Sequence, residues 1–293
     1  MELVSFVVLH YKDLDTTDVC VQSILRMRQR ERIRIVVVDN DVKETQERRR
    51  RLVEKYAGIP EITVLQVTEN GGFSYANNLG YAYAKKQGAA FILVLNNDIE
   101  FTQEDFLDRL DCVYREYPCA IIGPDVIRKS TGEHQNPLAE RPRTKKEAEY
   151  TRRMNQFALR FYNLLYPVLY WKNRRDEERQ FQARKEREAY YQTAHEGIVP
   201  FGALLIYTPD FVVREEKAFW PETNFYYEEY ILACRCQRKG YRIVYTPDLT
   251  ALHESGVATK KSYGSEKKRM RFVMERVAAA CGVYLNYLED PRG

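Results

Sequence analysis

Apolar residues along this chain fall into two alternating textures. Short, β-branched runs occupy 3–9, 33–38, 62–67, 91–95 and 120–123. Runs of this length, with few polar interruptions, suit strands buried on both faces. Between them lie 16–30, with apolar Val19, Ile24 and Leu25, the highly charged 44–56, then 73–87 and 103–117. These longer stretches read as helices, and strands alternating with helices at this interval predict a layered α/β fold whose sheet is mostly parallel. The texture changes over 134–195, which is long, polar and aromatic. It resumes at 198–207, with a strand over 242–246, an apolar stretch at 249–252 and a closing helix near 265–288.

Three apolar runs stop abruptly on polar residues: Leu9-His10-Tyr11, Asp39-Asn40 and Asn96-Asn97-Asp98. In a parallel sheet these ends share the edge where open α/β sheets bind ligands. A carboxylate such as Asp98 could there hold a hard divalent cation that bridges phosphates. Asn and Asp are also turn formers, and Asp39 alone reads equally as a helix cap. Two carboxylates at matching strand ends favour a nucleotide site, with Asp39 on base or ribose and Asp98 on metal and diphosphate. The stretch Asn70-Gly71-Gly72-Phe73 opens a helix carrying Asn77, Asn78 and Gly80. Gly71 and Gly72 allow close backbone approach, which suits an anion at a helix N-terminus or simply a tight turn. Asn77 and Asn78 fall on the first turns and could face the ligand. Neither a Walker A loop nor a GxGxxG fingerprint is present.

Composition narrows the classes. The chain has 293 residues, 44% hydrophobic and 30% charged, as expected of one large α/β domain or two small ones. A formal charge of +4 does not by itself imply nucleic acid, and no nucleic-acid partner is expected. No apolar run approaches the ~20 residues of a membrane span. The N-terminus reads as a first strand, not a signal peptide, so a cytoplasmic location is expected. The six cysteines form no CxxC pair and read as reduced packing thiols. Residues 141–190 hold 14 Lys and Arg against 7 Asp and Glu, a local net charge of +7. This segment is either a solvated hairpin or lid, or an amphipathic insertion in peripheral contact with the inner face of a membrane or with a lipid-linked substrate.

The ordered motifs resemble family 2 glycosyltransferases, and in particular a rhamnosyltransferase-like branch. They are a strand ending in Asp39-Asn40, then Asn70-x-Gly72-Phe73-x-x-x-Asn77-Asn78-x-Gly80, then Leu95-Asn96-Asn97-Asp98. Downstream, Phe201-Gly202-Ala203 is similar to the family's Gly-Ala strand near the acceptor. Phe225 to Arg242 is similar to its Glu-Asp-x-Asp-Leu helix. The likeness covers about 3–130 and 198–256. It implies a single GT-A unit: a nucleotide-sugar half over 1–130, a helical insertion over 134–195, an acceptor and catalytic half over 198–256, and a C-terminal helical segment over 257–293.

The resemblance further implies inverting transfer from a UDP- or dTDP-sugar to a glycan or lipid-linked acceptor, in bacterial surface polysaccharide synthesis, assisted by Mn2+ or Mg2+. Such a transfer needs a base for the acceptor hydroxyl and a cation on the leaving diphosphate. Alignment places Glu229 at the base, with Glu228 as the substitute, and Asp98, Asn96 and His253 on the metal side. His10, Tyr11, Asp39, Asn40, Asn70, Gly71, Gly72, Asn77, Asn78 and Asn97 would hold the nucleotide sugar. Gly202 and Trp220 fall on the acceptor side, where Trp220 is either a sugar platform or a packing residue. His253 alone reads equally as a structural histidine.

Three departures stand out: the base position holds Glu229 where the family usually has Asp, Ile231 replaces the second acid of Glu-Asp-x-Asp, and Asn96 replaces the first Asp of Asp-x-Asp. Ile231 and Asn96 keep open a degenerate glycosyltransferase-like binding module. Nucleotidyl transfer ranks low, because His10-Tyr11-Lys12-Asp13 stands where a basic Gly-rich loop would be expected. A membrane-surface adaptor rests on 141–190 alone. The sequence leaves the oligomeric state open.

Overall fold

The computed structural model describes residues 2–42, 45–69, 71–254 and 265–290. The N-terminal half runs β1 (Val4–His10), α1 (Leu14–Leu25), β2 (Ile33–Asp39), α2 (Gln46–Tyr56), β3 (Ile62–Gln66), α3 (Gly72–Lys86) and β4 (Phe91–Asn96). Next come β5 (Ile99–Glu100), α4 (Phe106–Glu116) and β6 (Ile121–Arg128). The insertion forms α5 (Lys145–Arg160), α6 (Tyr162–Lys185) and α7 (Glu188–Tyr191). The chain continues through β7 (His195–Glu196), β8 (Leu204–Tyr207), α8 (Pro209–Val212), α9 (Glu228–Lys239) and β9 (Ile243–His253) to α10 (Glu266–Glu289).

Among the described residues, one sheet has the order β3-β2-β1-β4-β8-β6-β9-β5, with β7 also on β9. The first four of these strands are parallel. β8 runs antiparallel to both β4 and β6, while β9 returns parallel to β6. The α/β class, the flanking helices, the helical insertion and the C-terminal helix match expectation, but the sheet is mixed where a mostly parallel one was expected. The physical reason is that an unbroken apolar run reports burial on both faces and carries no information about strand direction.

Two other boundaries differ from the pattern. The apolar stretch 198–207 gives only a four-residue strand, because 198–203 crosses the sheet edge as an irregular segment. Conversely, 242–246 and 249–252 belong to one strand, β9, whose register with β6 jumps at Pro124/Asp125. Such a shift bends a strand and redirects its end.

Helices cover both faces. Side chains of α1 and α4 (Val21, Ile24, Phe106, Leu110) pack on one side with Phe6, Val8 and Leu93. α3, α8 and α9 pack on the other through Ala76, Tyr81, Phe211 and Leu232. α3 lies close to the sheet because Gly80 faces Val7 and Val38, where an added Cβ would overlap both side chains. Gly80→Ala should therefore cost about 1–3 kcal/mol of stability by overpacking. Thermal unfolding checks this, and an unchanged midpoint would mean that α3 can back away freely.

Candidate active site

The register of the parallel strands sets one edge of the site. His10 lies opposite Asp39, and Leu9 opposite Asn96. Thr17 of α1 ties this edge together: its hydroxyl meets His10 Nδ1 at 2.7 Å and accepts from Asn97 Nδ2 at 2.9 Å. Tyr11 follows half-buried, and Lys12 takes a left-handed turn (φ 62°) that bends the chain away from β1. Asp39 is buried, and its carboxylate accepts from Arg49 Nε at 2.8 Å and from the Asp41 amide at 3.2 Å. Arg49 also donates to the Val67 carbonyl at 2.8 Å, fastening α2 to the segment after β3. Beside Asp39, the buried Oδ1 of Asn40 has no hydrogen-bond partner among the described residues. A buried acceptor left unsatisfied is costly, so an incoming donor group would be favoured there.

The start of α3 is built into the loop before α9. Gly72 has φ 85°, and an added Cβ would run into Asn224. The Phe73 amide donates to the Asn224 carbonyl at 2.9 Å, and the Ser74 and Thr223 hydroxyls meet at 2.6 Å. Both ends of the Asn78 amide are taken by the backbone of Phe219, each at 2.9 Å. Asn78 therefore positions the loop. Asn77 is fully buried, and neither atom of its amide has a partner among the described residues. Gly71 is covered by the Tyr75 ring. Asn70 lies outside the described residues.

The redirected end of β9 creates the second feature. β5 pairs with it so that Ile99 faces His253, which puts Asp98 beside that histidine. Asp98 Oδ1 and His253 Nε2 are 3.2 Å apart, and both side chains are almost buried. His253 Nδ1 meets Gln135 Oε1 at 2.7 Å, fixing the ring so that Nε2 points at Asp98. A carboxylate and an imidazole oriented by an outer partner make a sound donor pair for a divalent cation. Among the described residues there is no group of three or more His, Cys, Asp or Glu that could hold a metal. Two protein donors would leave such a cation needing further oxygen ligands from outside the protein.

The irregular segment 201–203 joins the two halves. The Asn96 amide donates to the Ala203 carbonyl at 3.0 Å, placing this segment beside the end of β4. Phe201 packs edge-on to His253, with ring centroids 5.7 Å apart. Its amide donates to Asn136 Oδ1 at 3.0 Å, while Asn136 Nδ2 donates to the Pro124 carbonyl at 2.6 Å. Gly202 lies against the carboxyl group of Glu229: an added Cβ would be 3.0 Å from Cδ and closer still to Oε1. Thus Glu229 and the Asp98–His253 pair flank one three-residue segment.

Glu229 sits in the first turn of α9, which starts under strain. Tyr226 (φ 71°) and Tyr227 (φ 68°) are consecutive left-handed residues with bulky side chains. Such strain persists only where packing over-determines it. Tyr227 is buried against Tyr230 and Tyr284, with the Arg143 guanidinium 5.6 Å from its ring centre. The other end of α9 is pinned by buried Glu215, which accepts from Arg235, from Lys239 at 2.7 Å and from the Tyr241 hydroxyl at 3.0 Å. Burial alone would raise the Glu215 pKa, but these donors hold it below the ordinary value. Trp220, half-buried, packs edge-on to Tyr287 of α10 (5.0 Å).

Glu228 and Glu229 are adjacent in sequence but differently placed. Glu228 is buried, with Oε1 unpartnered among the described residues. Burial pushes its carboxyl well above the ordinary range, and the charge of Glu229 pushes the same way. Glu229 keeps part of its surface open. Its pKa is also raised, chiefly by burial of the carboxyl, with its own amide and that of Gly202 pulling it back down. A basic carboxylate next to an open edge can accept a hydroxyl proton.

With this geometry in view, the likeness to known proteins is consistent. The Glycosyl transferase family 2 profile matches residues 5–192, well over half of the chain. The chain therefore belongs to glycosyl transferase family 2. Solved structures share its GT-A fold. TarS 1–349 from S. aureus is 13% identical with a TM-score of 0.51, over 95% of this chain and 70% of that one. Its complex with UDP-GlcNAc gives 15% and 0.52, over 95% and 66%. GalNAc-T7 with UDP, GalNAc and Mn2+ gives 12% and 0.57, over 86% of this chain and only 44% of that one. A search of curated protein sequences finds no match.

Several structural partners escaped the sequence pattern. Arg49 is hidden in a run of four arginines, Arg48 to Arg51. Gln135, Asn136 and Thr17 carry no motif, and only their contacts reveal them. Two outcomes test the site. Gly202→Ala must displace the Glu229 carboxylate, and a shift of ~1 Å can cost about 100-fold in turnover. Steady-state kinetics with nucleotide binding as control would show it. Burial raises the Glu228 pKa in the fold well above the 4.5 of an ordinary glutamate. Stability from this neutral carboxyl is therefore full at low pH and declines as pH rises towards the folded pKa. Glu228→Gln should match the wild type near pH 5 and exceed it increasingly towards pH 8 in urea unfolding, and parallel pH curves would exclude this linkage.

Proposed function

We propose that the protein transfers a sugar, with inversion, from a nucleoside-diphosphate sugar to a hydroxyl of a glycan or lipid-linked acceptor in surface polysaccharide synthesis. One observation carries the reading: a basic carboxyl, Glu229, and a cation-competent pair, Asp98 and His253, flank the segment 201–203 at the edge where the strand ends meet. Glu229 takes the acceptor proton as the hydroxyl oxygen attacks the anomeric carbon from the side opposite the diphosphate. Inversion follows from this single displacement. Asp98 and His253 would hold Mn2+ or Mg2+, which when bound offsets charge on the departing diphosphate. Asn96 and Asn97 border that place, with Asn97 fixed by Thr17.

The nucleotide lies along His10, Tyr11, Asp39 and Asn40 and over the Gly71–Gly72 turn, with the buried Asn77 beneath that turn. UDP is favoured because TarS and GalNAc-T7, which share the fold, are solved with UDP or UDP-GlcNAc. A rhamnosyl donor would require dTDP. In this reading both halves and the insertion act as one catalytic unit, and Gly202 and Trp220 border the acceptor.

Glu228 stays buried, its carboxyl pushed towards the neutral form by burial and by the charge of Glu229, and takes no proton from the acceptor. Glu229→Gln should therefore reduce turnover at least about 1000-fold with donor affinity within twofold, whereas Glu228→Gln keeps most activity. Equal loss in both variants would remove this division of roles. Calorimetry of UDP, dTDP and GDP, each with and without Mn2+, checks the donor side. Metal-dependent binding of one nucleotide, weakened at least tenfold by Asp98→Ala, is expected. No binding by any nucleotide to folded protein would favour a degenerate binding module.

A further inference from the structure

The insertion carries a feature that donor binding and proton transfer do not use. Seven large apolar side chains on α5, α6 and their joint are exposed: Tyr150, Met154, Phe157, Phe161, Leu164, Val168 and Trp171. Their spacing is 4-3-4-3-4-3, the repeat that keeps residues on one helical face. The stripe continues across the joint, where the Phe157 and Phe161 ring centroids are 5.2 Å apart. Leu164 is 79% exposed and Trp171 71%, unusual for such residues in a water-facing helix. The opposite face is occupied. Ala148 packs with Tyr227, Cys281 and Tyr284, and the Tyr162 hydroxyl donates to the Lys267 carbonyl at 2.6 Å. The stripe therefore faces away from the body that holds the site.

A heptad spacing first suggests a coiled coil with a second copy, but the charges oppose that. From Tyr150 to Arg175 the chain contains Arg152, Arg153, Arg160, Lys172, Arg174 and Arg175 and no acidic residue. All six basic residues are exposed. A self-pair would set like charges along both flanks of the seam. Pro167 also removes a backbone donor inside α6. Phe, Tyr and Trp beside Arg and Lys, with no acid between Glu149 and Asp176, is instead the composition of a helical stretch lying in a lipid interface. No helix among the described residues is long and apolar enough to cross a membrane, so the contact would be lateral.

We infer that the α5–α6 face docks onto an anionic lipid surface, with Phe157, Phe161, Leu164 and Trp171 entering the interface and Arg153, Arg160 and Lys172 meeting the headgroups. The inference goes beyond the transfer reaction and stands independently of the role given to Glu229. For a lipid-linked acceptor, docking would confine the enzyme to the plane where that acceptor lies.

The test is co-sedimentation of the full chain with vesicles of phosphatidylglycerol and phosphatidylcholine, against phosphatidylcholine alone. Binding to the anionic vesicles should be at least about tenfold tighter and should weaken with salt. Phe157→Ser/Leu164→Ser/Trp171→Ser and, separately, Arg153→Glu/Arg160→Glu/Lys172→Glu should each lower it at least tenfold. These positions are exposed, so thermal unfolding and nucleotide binding should be unchanged, which separates this proposal from the catalytic one. Wild-type protein that pellets with neither vesicle, or equally with both, would overturn it. So would a dimer in sedimentation equilibrium that the apolar substitutions disperse.

Discussion

The approach of the Gly202 backbone to the Glu229 carboxyl is the constraint on which the rest of the site depends. Any side chain at position 202 would occupy the space of the carboxyl group. The contact is possible because 198–203 leaves the strand pattern before β8 begins and crosses beside the end of β4. β8 then runs antiparallel to β4, so the crossing segment lies at the same edge as the polar ends of the parallel strands. Asn136, fully buried, fixes this segment through the Phe201 amide and the Pro124 carbonyl. The antiparallel strand is thus part of what brings Glu229 and the Asp98–His253 pair together.

Two adjacent glutamates can have different chemistry because a helix sends neighbouring side chains about 100° apart. Glu228 enters the core and is pushed towards its neutral form; Glu229 keeps an amide donor and an open side. Charge on both at once would be costly at this separation and burial. The departure at Ile231 is consistent with this division. Ile231 is fully buried with Tyr284 and Cys281, where an acid would be stripped of water. α9 therefore offers one usable carboxylate in its first turn, and the strained Tyr226-Tyr227 entry sets where that turn begins.

Much of the fold was legible because its signals are local. Buried runs ending in His10, Asp39 and Asn96 announce strands and their aligned ends, and the register agrees. Strand direction was not legible, since β8 is as apolar as β4 whichever way it runs. The bend in β9 was equally hidden: Pro247-Asp248 reads as a break between two strands, yet the chain continues past it to deliver His253 to Asp98. Asn77 and Asn78 show the limit at the level of single residues. They are the same residue type in adjacent positions, but the Phe219 backbone engages one and leaves the other as a buried amide without a partner among the described residues. Sequence gives the type of side chain, and only packing gives its partner.

The insertion also bears on α9. Arg143, just before α5, lies over the rings of both Tyr227 and Tyr230, the residues on either side of the two glutamates. α10 packs along α5 and also contributes Tyr284 to the same aromatic cluster. The strained entry to α9 is thus held by the scaffold that presents the apolar stripe. Aromatic and cation–π contacts are individually worth only about 0.5–1.5 kcal/mol. Several acting on one turn can still offset the 1–3 kcal/mol expected for each left-handed bulky residue. A force on the α5–α6 face would reach Glu229 through this cluster, because the same rings that fix α5 to α10 also fix the first turn of α9.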